Sequence, residues 1–71
     1  MDKKERFKKL AEPRTNEVLK RLKILGNCSN RSAYDYNEQD IQKIFSTIEN
    51  KIREVKSKFR VPKYKEKEFK L

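Results

Sequence analysis

The chain has 71 residues, of which 34% are hydrophobic and 44% are charged, and its formal net charge is +9. A chain of this length forms at most one small domain, because below about 80 residues a single core rarely supplies more than about 3–5 kcal/mol. Cys28 is the only cysteine and there is no histidine, which excludes an internal disulfide and a zinc site of clustered cysteines and histidines. Stability must therefore come from helix packing, self-association or a partner.

The first part of the chain has the apolar spacing of an amphipathic helix. One face of that helix collects Phe7, Leu10, Ala11, Val18, Leu22 and Leu25. Gly26 follows directly, where a C-terminal glycine is expected. Pro13 interrupts the pattern: either one long helix is kinked near Lys9, or a short helix ends near Ala11 and a second begins with Pro13 in its first turn. We favour the second alternative and predict a break near Pro13.

The positive charge is concentrated in this first part, where residues 1–27 hold nine basic and four acidic side chains. On an ideal helical wheel Lys9, Lys20 and Lys23 lie opposite the apolar face. This basic face is either a solvated surface or a surface that contacts phosphates. Arg14 falls on the apolar face of a continuous helix. Either its aliphatic stem packs there while its head reaches water, or it pairs with an acidic group or a loop carbonyl.

A polar segment without glycine, residues 27–36, separates the two predicted helices. It is long for a helix–helix connection, and its Asn and Ser side chains favour turns because they bond nearby backbone. We expect these side chains to hold the loop in one shape and to present Arg31 and Tyr34 to a target. In the alternative, the same side chains only cap the helices and Arg31 pairs with Asp35.

The second helix is predicted over residues 38–59. Asn37 is a good N-cap, and Asp40 three residues later meets the free amides of the first turn. Pro62 marks the end of the helix, because the residue before a proline avoids helical geometry. A heptad-like apolar seam runs along one face, and we predict self-association through Phe45, Ile48, Ile52, Val55 and Phe59.

Residues 1–60 are interpreted as one domain, and residues 61–71 as a basic, flexible tail. The N-terminus lacks the apolar run of a secretory signal, and no stretch approaches the roughly 20 apolar residues that span a bilayer. We therefore expect a cytoplasmic protein without a membrane partner.

Catalysis is not expected. General acid–base chemistry at neutral pH most often uses histidine, and the chain has none. Cys28 lacks a histidine base and follows the C-terminal end of a helix, whose dipole disfavours a thiolate. With Gly26 as the only glycine there is no phosphate-cradling glycine loop. Because a cluster of cysteines and histidines is excluded as well, we expect no cofactor and no metal. A helix-turn-helix, which needs a turn of about 3–4 residues, is not present either.

Four stretches carry a resemblance: Arg14-Thr15-Asn16, Leu25 to Ser32, Tyr34-Asp35-Tyr36 and Ile44-Phe45. In these residues the chain resembles a group of short hypothetical proteins from bacterial genomes and mobile elements, over roughly residues 5–59. The resemblance implies a phage or mobile-element setting. It brings no activity and no site residues with it.

The sequence thus predicts an all-α protein, an antiparallel helical hairpin that forms a homodimer in a four-helix arrangement. The leading function is non-specific nucleic-acid binding through phosphates, as an accessory or regulatory factor. The candidate binding residues are Lys9, Arg14, Lys20, Lys23, Arg31 and Tyr34. The alternative is a protein–protein interaction module, such as an inhibitor that docks on a larger nucleic-acid-binding protein of the host.

Overall fold

A computed structural model describes residues 2–59 of the chain. Within this range the protein is all-helical: α1 spans Lys3–Gly26, a short 3-10 helix spans Asn27–Ser29, α2 spans Glu38–Lys56, and there is no strand. The chain divides into two units, Met1–Tyr36 and Asn37–Leu71. The prediction of an all-α protein with two main helices is confirmed. The predicted tail, residues 61–71, lies outside the described residues.

The first helix runs without interruption through Pro13, so the predicted break at this position is wrong. A proline inside a helix removes one amide donor and leaves one carbonyl, here that of Lys9, without its helical partner. Lys9 and Pro13 are both exposed, so water can solvate that carbonyl. The 24 residues of α1 provide enough hydrogen bonds on both sides to continue the helix across the gap.

The two ends of α1 are formed differently. At the start, the Asp2 side chain accepts a hydrogen bond from the Glu5 amide at 2.8 Å and caps the first turn. At the other end, Gly26 stands at the C-terminus of the helix, as its place in the sequence suggested, and it is the last helical residue, with φ −58° and ψ −25°. The chain continues into the 3-10 helix, so the conformational freedom of glycine is not used here.

The conformation of Gly26 makes Gly26→Ala a stabilising change. A Cβ atom added at this position meets no atom within 4 Å, and the helical φ suits alanine. We expect a gain of about 0.5–1 kcal/mol in the free energy of unfolding, because alanine loses less backbone entropy. Urea titration followed by circular dichroism measures it. A loss of helix content in the variant would show that Gly26 needs a conformation that alanine cannot adopt.

The start of α2 confirms the prediction made for Asn37 and Asp40. The Asn37 side chain accepts from the Asp40 amide at 2.8 Å, and the Asp40 carboxylate accepts from the Asn37 amide at 3.1 Å. This reciprocal pair is a capping box, and it satisfies two amides that would otherwise lack partners.

The end of α2 comes earlier than predicted, at Lys56 and not at residue 59. The Ser57 hydroxyl donates to the Glu54 carbonyl at 2.7 Å, and the amides of Lys58 and Phe59 donate three residues back, at 3.0 and 3.1 Å. Such short-range bonds tighten the chain into a turn. Phe59, the last residue of the predicted seam, therefore lies beyond the regular helix.

Removing the cap of α2 gives a second stability test. Asn37→Ala deletes the side-chain acceptor for the Asp40 amide, and we expect a cost of about 1 kcal/mol, with melting of the first turn. Asn37→Ser retains an oxygen acceptor and serves as the matched control. Equal stability of the alanine and serine variants would contradict a role for this cap.

Burial is slight throughout residues 2–59, none of which is fully buried. In the first unit the half-buried residues are Ala11, Leu22, Leu25 and Tyr36, and in the second unit they are Ile41 and Ile48. Each helix is amphipathic, and most of its apolar face is at the surface. Hydrophobic burial within each unit taken alone therefore contributes little to stability. Neither helix within the described range is both long and apolar enough to span a bilayer.

Candidate nucleic-acid interface

The predicted basic face is carried by one helix. Lys9, Lys20 and Lys23 are all exposed residues of α1. Because α1 is continuous, the regular rotation of about 100° per residue places the three within about 60° of one another around the axis. Lys9 and Lys23 are separated by about 21 Å along the axis at 1.5 Å per residue. A break at Pro13 would have decoupled Lys9 from the other two.

Two carboxylates that the sequence interpretation overlooked lie beside Lys9. Glu5 precedes Lys9 by four residues and Glu12 follows it by three, so both share its side of the helix. Together with Lys8, these residues line one shallow surface depression. The spacing of Glu5 and Glu12 from Lys9 in the sequence was sufficient to predict that both carboxylates lie beside this lysine. The positive potential is consequently weaker at Lys9 than at Lys20 and Lys23.

The charges around Lys20 and Lys23 are arranged more favourably for an anion. The acidic residue of this stretch, Glu17, accepts a hydrogen bond from Arg21 at 2.9 Å and so has a cationic partner of its own. Lys20 and Lys23 lie one turn apart and both are exposed. On the basic face, Lys20 and Lys23 therefore have one nearby carboxylate, which is already paired, whereas Lys9 lies between Glu5 and Glu12.

Arg14 lies on the apolar side of α1, as its place in the sequence required, and it is exposed. Among residues 2–59 the ion pairs are Arg21 with Glu17 and Lys51 with Glu54, so an acidic partner for Arg14 is not found there. Within residues 2–59 the structure thus gives no support to pairing of Arg14, and its exposed head can reach water.

The loop after α1 is held by a side-chain interaction that the sequence analysis did not foresee. The Arg31 guanidinium carbon lies 4.1 Å from the centroid of the Tyr36 ring, and its Nη1 donates to the Tyr36 carbonyl at 3.2 Å. The Tyr36 hydroxyl in turn donates to the Ser29 carbonyl at 2.7 Å. We call these three residues the Arg31–Tyr36 clamp. Within the described residues, Arg31 forms no ion pair with Asp35.

Asn30 holds the turn inside this clamp. Its side-chain oxygen accepts from the Ser32 amide at 3.0 Å, and its carbonyl accepts from the amides of Ala33 and Tyr34 at 3.1 and 2.9 Å. Of the Asn and Ser side chains predicted to hold the loop, Asn30 does so, whereas those of Asn27, Ser29 and Ser32 form no hydrogen bond within residues 2–59. The backbone of Tyr34 is fixed in this way, while the residue remains 53% exposed.

The second unit presents an apolar face along α2. Large side chains on this face remain partly in water, with Ile52 52% exposed and both Phe45 and Val55 43% exposed. Ile44 and Ile48 line a shallow depression on the same helix. The exposed edges of these side chains give α2 an apolar contact surface.

Reactive groups are few in the described part of the chain. Cys28 is an exposed thiol in the 3-10 helix. Residues 2–59 contain no cluster of three or more Cys, Asp or Glu side chains that could hold a metal ion. The described residues instead present lysine and arginine side chains and the Tyr34 ring at the surface, and such groups suit the binding of a ligand.

No family model, no curated protein and no solved structure matches the chain.

Proposed function

We propose that the protein is a small basic nucleic-acid-binding factor, accessory or regulatory in role, that contacts phosphates without reading sequence. The observation that carries the proposal is the unbroken α1, which presents exposed Lys20 and Lys23 on one face while the nearby Glu17 is engaged by Arg21. Lysines on a helix face neutralise phosphates and release counterions, which is the main source of non-specific affinity. The net charge of +9 strengthens the attraction at long range. The resemblance to mobile-element proteins adds a phage-like setting to the proposal.

A salt series tests the phosphate contacts. We expect Lys20→Ala and Lys23→Ala each to reduce the slope of log affinity against log salt by about one unit, with no dependence on base sequence. Lys9→Ala should change the slope less, because Glu5 and Glu12 lie beside it. Lys51→Ala is the control, since Lys51 lies on α2 and pairs with Glu54 at 3.0 Å. An unchanged affinity after substitution of all three α1 lysines would refute the proposal.

The apolar face of α2 favours a second candidate function, a protein–protein interaction module that inhibits a nucleic-acid-binding protein of the host. Exposed Ile52, Phe45 and Val55 are suited to the desolvated centre of a protein interface. Such an interface should show a shallow salt dependence and one preferred partner, whereas phosphate binding weakens steeply on any duplex. Affinity measured against salt therefore separates the two candidates.

We propose further that the two helices form an antiparallel hairpin and that two copies associate in a four-helix arrangement. The support is the apolar seam of α2, whose side chains stay partly exposed in the single chain. Burying such seams against one another is the usual way for small helical proteins to complete a core.

A further inference from the structure

We propose that the loop corner formed by the Arg31–Tyr36 clamp and Tyr34 binds an unpaired nucleotide, so that the preferred target is a single-stranded nucleic acid. This inference rests on the proposed nucleic-acid function and specifies its substrate. The corner lies entirely in the first unit, directly after α1.

Arg31 is fixed in a way that suits phosphate recognition. Its contact with the Tyr36 ring and its bond to the Tyr36 carbonyl use one side of the guanidinium and one of its donors. Arginine carries five donors, and the residue is exposed, so further donors can reach a ligand. Because the loop already orders the side chain, less conformational entropy is lost on binding than for a mobile surface arginine.

Tyr34 supplies the aromatic part of the corner. Its amide is tied to the Asn30 carbonyl at 2.9 Å, which fixes the backbone from which the ring projects. Tyr34 is 53% exposed, so part of this residue is available to a base. A base can stack on a tyrosine ring only when it is not paired inside a duplex. Phosphate contacts alone do not distinguish a single strand from a duplex. The combination of a held arginine with an exposed tyrosine therefore favours a single strand.

The corner is also close in the chain to Lys20 and Lys23, the two lysines of the basic face whose nearby carboxylate, Glu17, is already paired. Lys23 lies only about 4.5 Å along the helix axis before Gly26, where α1 ends, and Lys20 lies one turn earlier. A strand whose phosphates contact these lysines can extend towards the loop. The lysines then supply the salt-dependent attraction, and the corner supplies the preference for unpaired bases.

The test uses the full chain and fluorescence anisotropy with labelled oligothymidine, oligouridine and a DNA duplex carrying the same number of phosphates. We expect the single strands to bind more tightly than the duplex. Tyr34→Ala should weaken single-strand binding by about tenfold, the typical loss when one base–aromatic stack is removed, and should leave duplex binding nearly unchanged. Tyr34→Phe keeps the ring and should bind like the wild type. Comparison of oligothymidine with oligouridine identifies whether DNA or RNA is preferred. Binding of either single strand more tightly than the duplex supports the proposal.

Arg31→Lys tests the clamp separately, since it keeps the charge but loses the planar group that lies over Tyr36. We expect it to reduce the preference for single strands, with thermal melting recorded in parallel. If Tyr34→Ala lowers helix content and affinity together, the corner is structural and the inference is wrong. Equal binding of duplex and single strands, unaffected by Tyr34→Ala, also overturns it but leaves the phosphate-binding function standing. Absence of any nucleic-acid binding by the wild type overturns both.

Discussion

Pro13→Ala should stabilise α1 by about 3 kcal/mol, the difference between proline and alanine in a helix interior. The substitution restores an amide at position 13 that can donate to the Lys9 carbonyl, and it removes the ring that crowds the preceding turn. The gain is expected because α1 is continuous from Lys3 to Gly26, with Pro13 well inside it. If instead a new helix began at Pro13, the proline would be favourable in that first turn and its replacement would bring no gain.

Amide hydrogen exchange locates the effect of Pro13→Ala along the chain. Protection should rise most for residues 9–17, on both sides of the substitution, and circular dichroism should show more helix. Thr15→Ala is the matched control, since it adds an alanine two residues away without touching the proline, and its gain should be below about 1 kcal/mol. Equal gains for the two variants would indicate that Pro13 does not interrupt the hydrogen bonding of α1.

Local patterns allowed the prediction of α2 but misjudged parts of α1. The capping box at Asn37 and Asp40 depends on residues three positions apart, and such short-range chemistry can be read directly from the sequence. Pro13 was interpreted by its usual positional preference, as a break, and Gly26 as the residue that directly follows the last helical position. Both preferences are modest beside the cooperative hydrogen bonding of a long helix, which here continues through the two residues.

In the candidate site, too, some residues could be placed from the sequence and others could not. The wheel positions of Lys20 and Lys23 follow from helical periodicity alone, and the structure keeps both exposed. The Arg31–Tyr36 clamp could not be derived from spacing. Asp35 was an equally plausible partner for the guanidinium, and the choice depends on the turn made by Asn30. Loop side chains are brought together by backbone conformation, which the sequence pattern does not specify.

Ile52→Asp should abolish self-association through the apolar face of α2. Ile52 lies near the middle of the proposed seam and is 52% exposed in the single chain, so a second copy has surface to bury there. Burying the exposed half of an isoleucine side chain contributes about 0.8–1.5 kcal/mol, and in a twofold interface each of the two copies makes this contribution. Burying an unpaired carboxylate adds a further cost. The dimer dissociation constant should therefore rise at least about a hundredfold.

Sedimentation velocity at micromolar concentration measures the change, with helix content recorded on the same samples. We expect the wild type to sediment as a dimer and Ile52→Asp as a monomer with reduced helix, because no residue in the range 2–59 is fully buried in the single chain. Asn50→Asp introduces the same charge on the opposite side of α2 and retains an oxygen that can accept from Arg53, so it should remain dimeric. A wild-type chain that is a stable, cooperatively folded monomer would rule out the dimer. In that case the apolar face of α2 would have to be covered within the monomer or by a different protein.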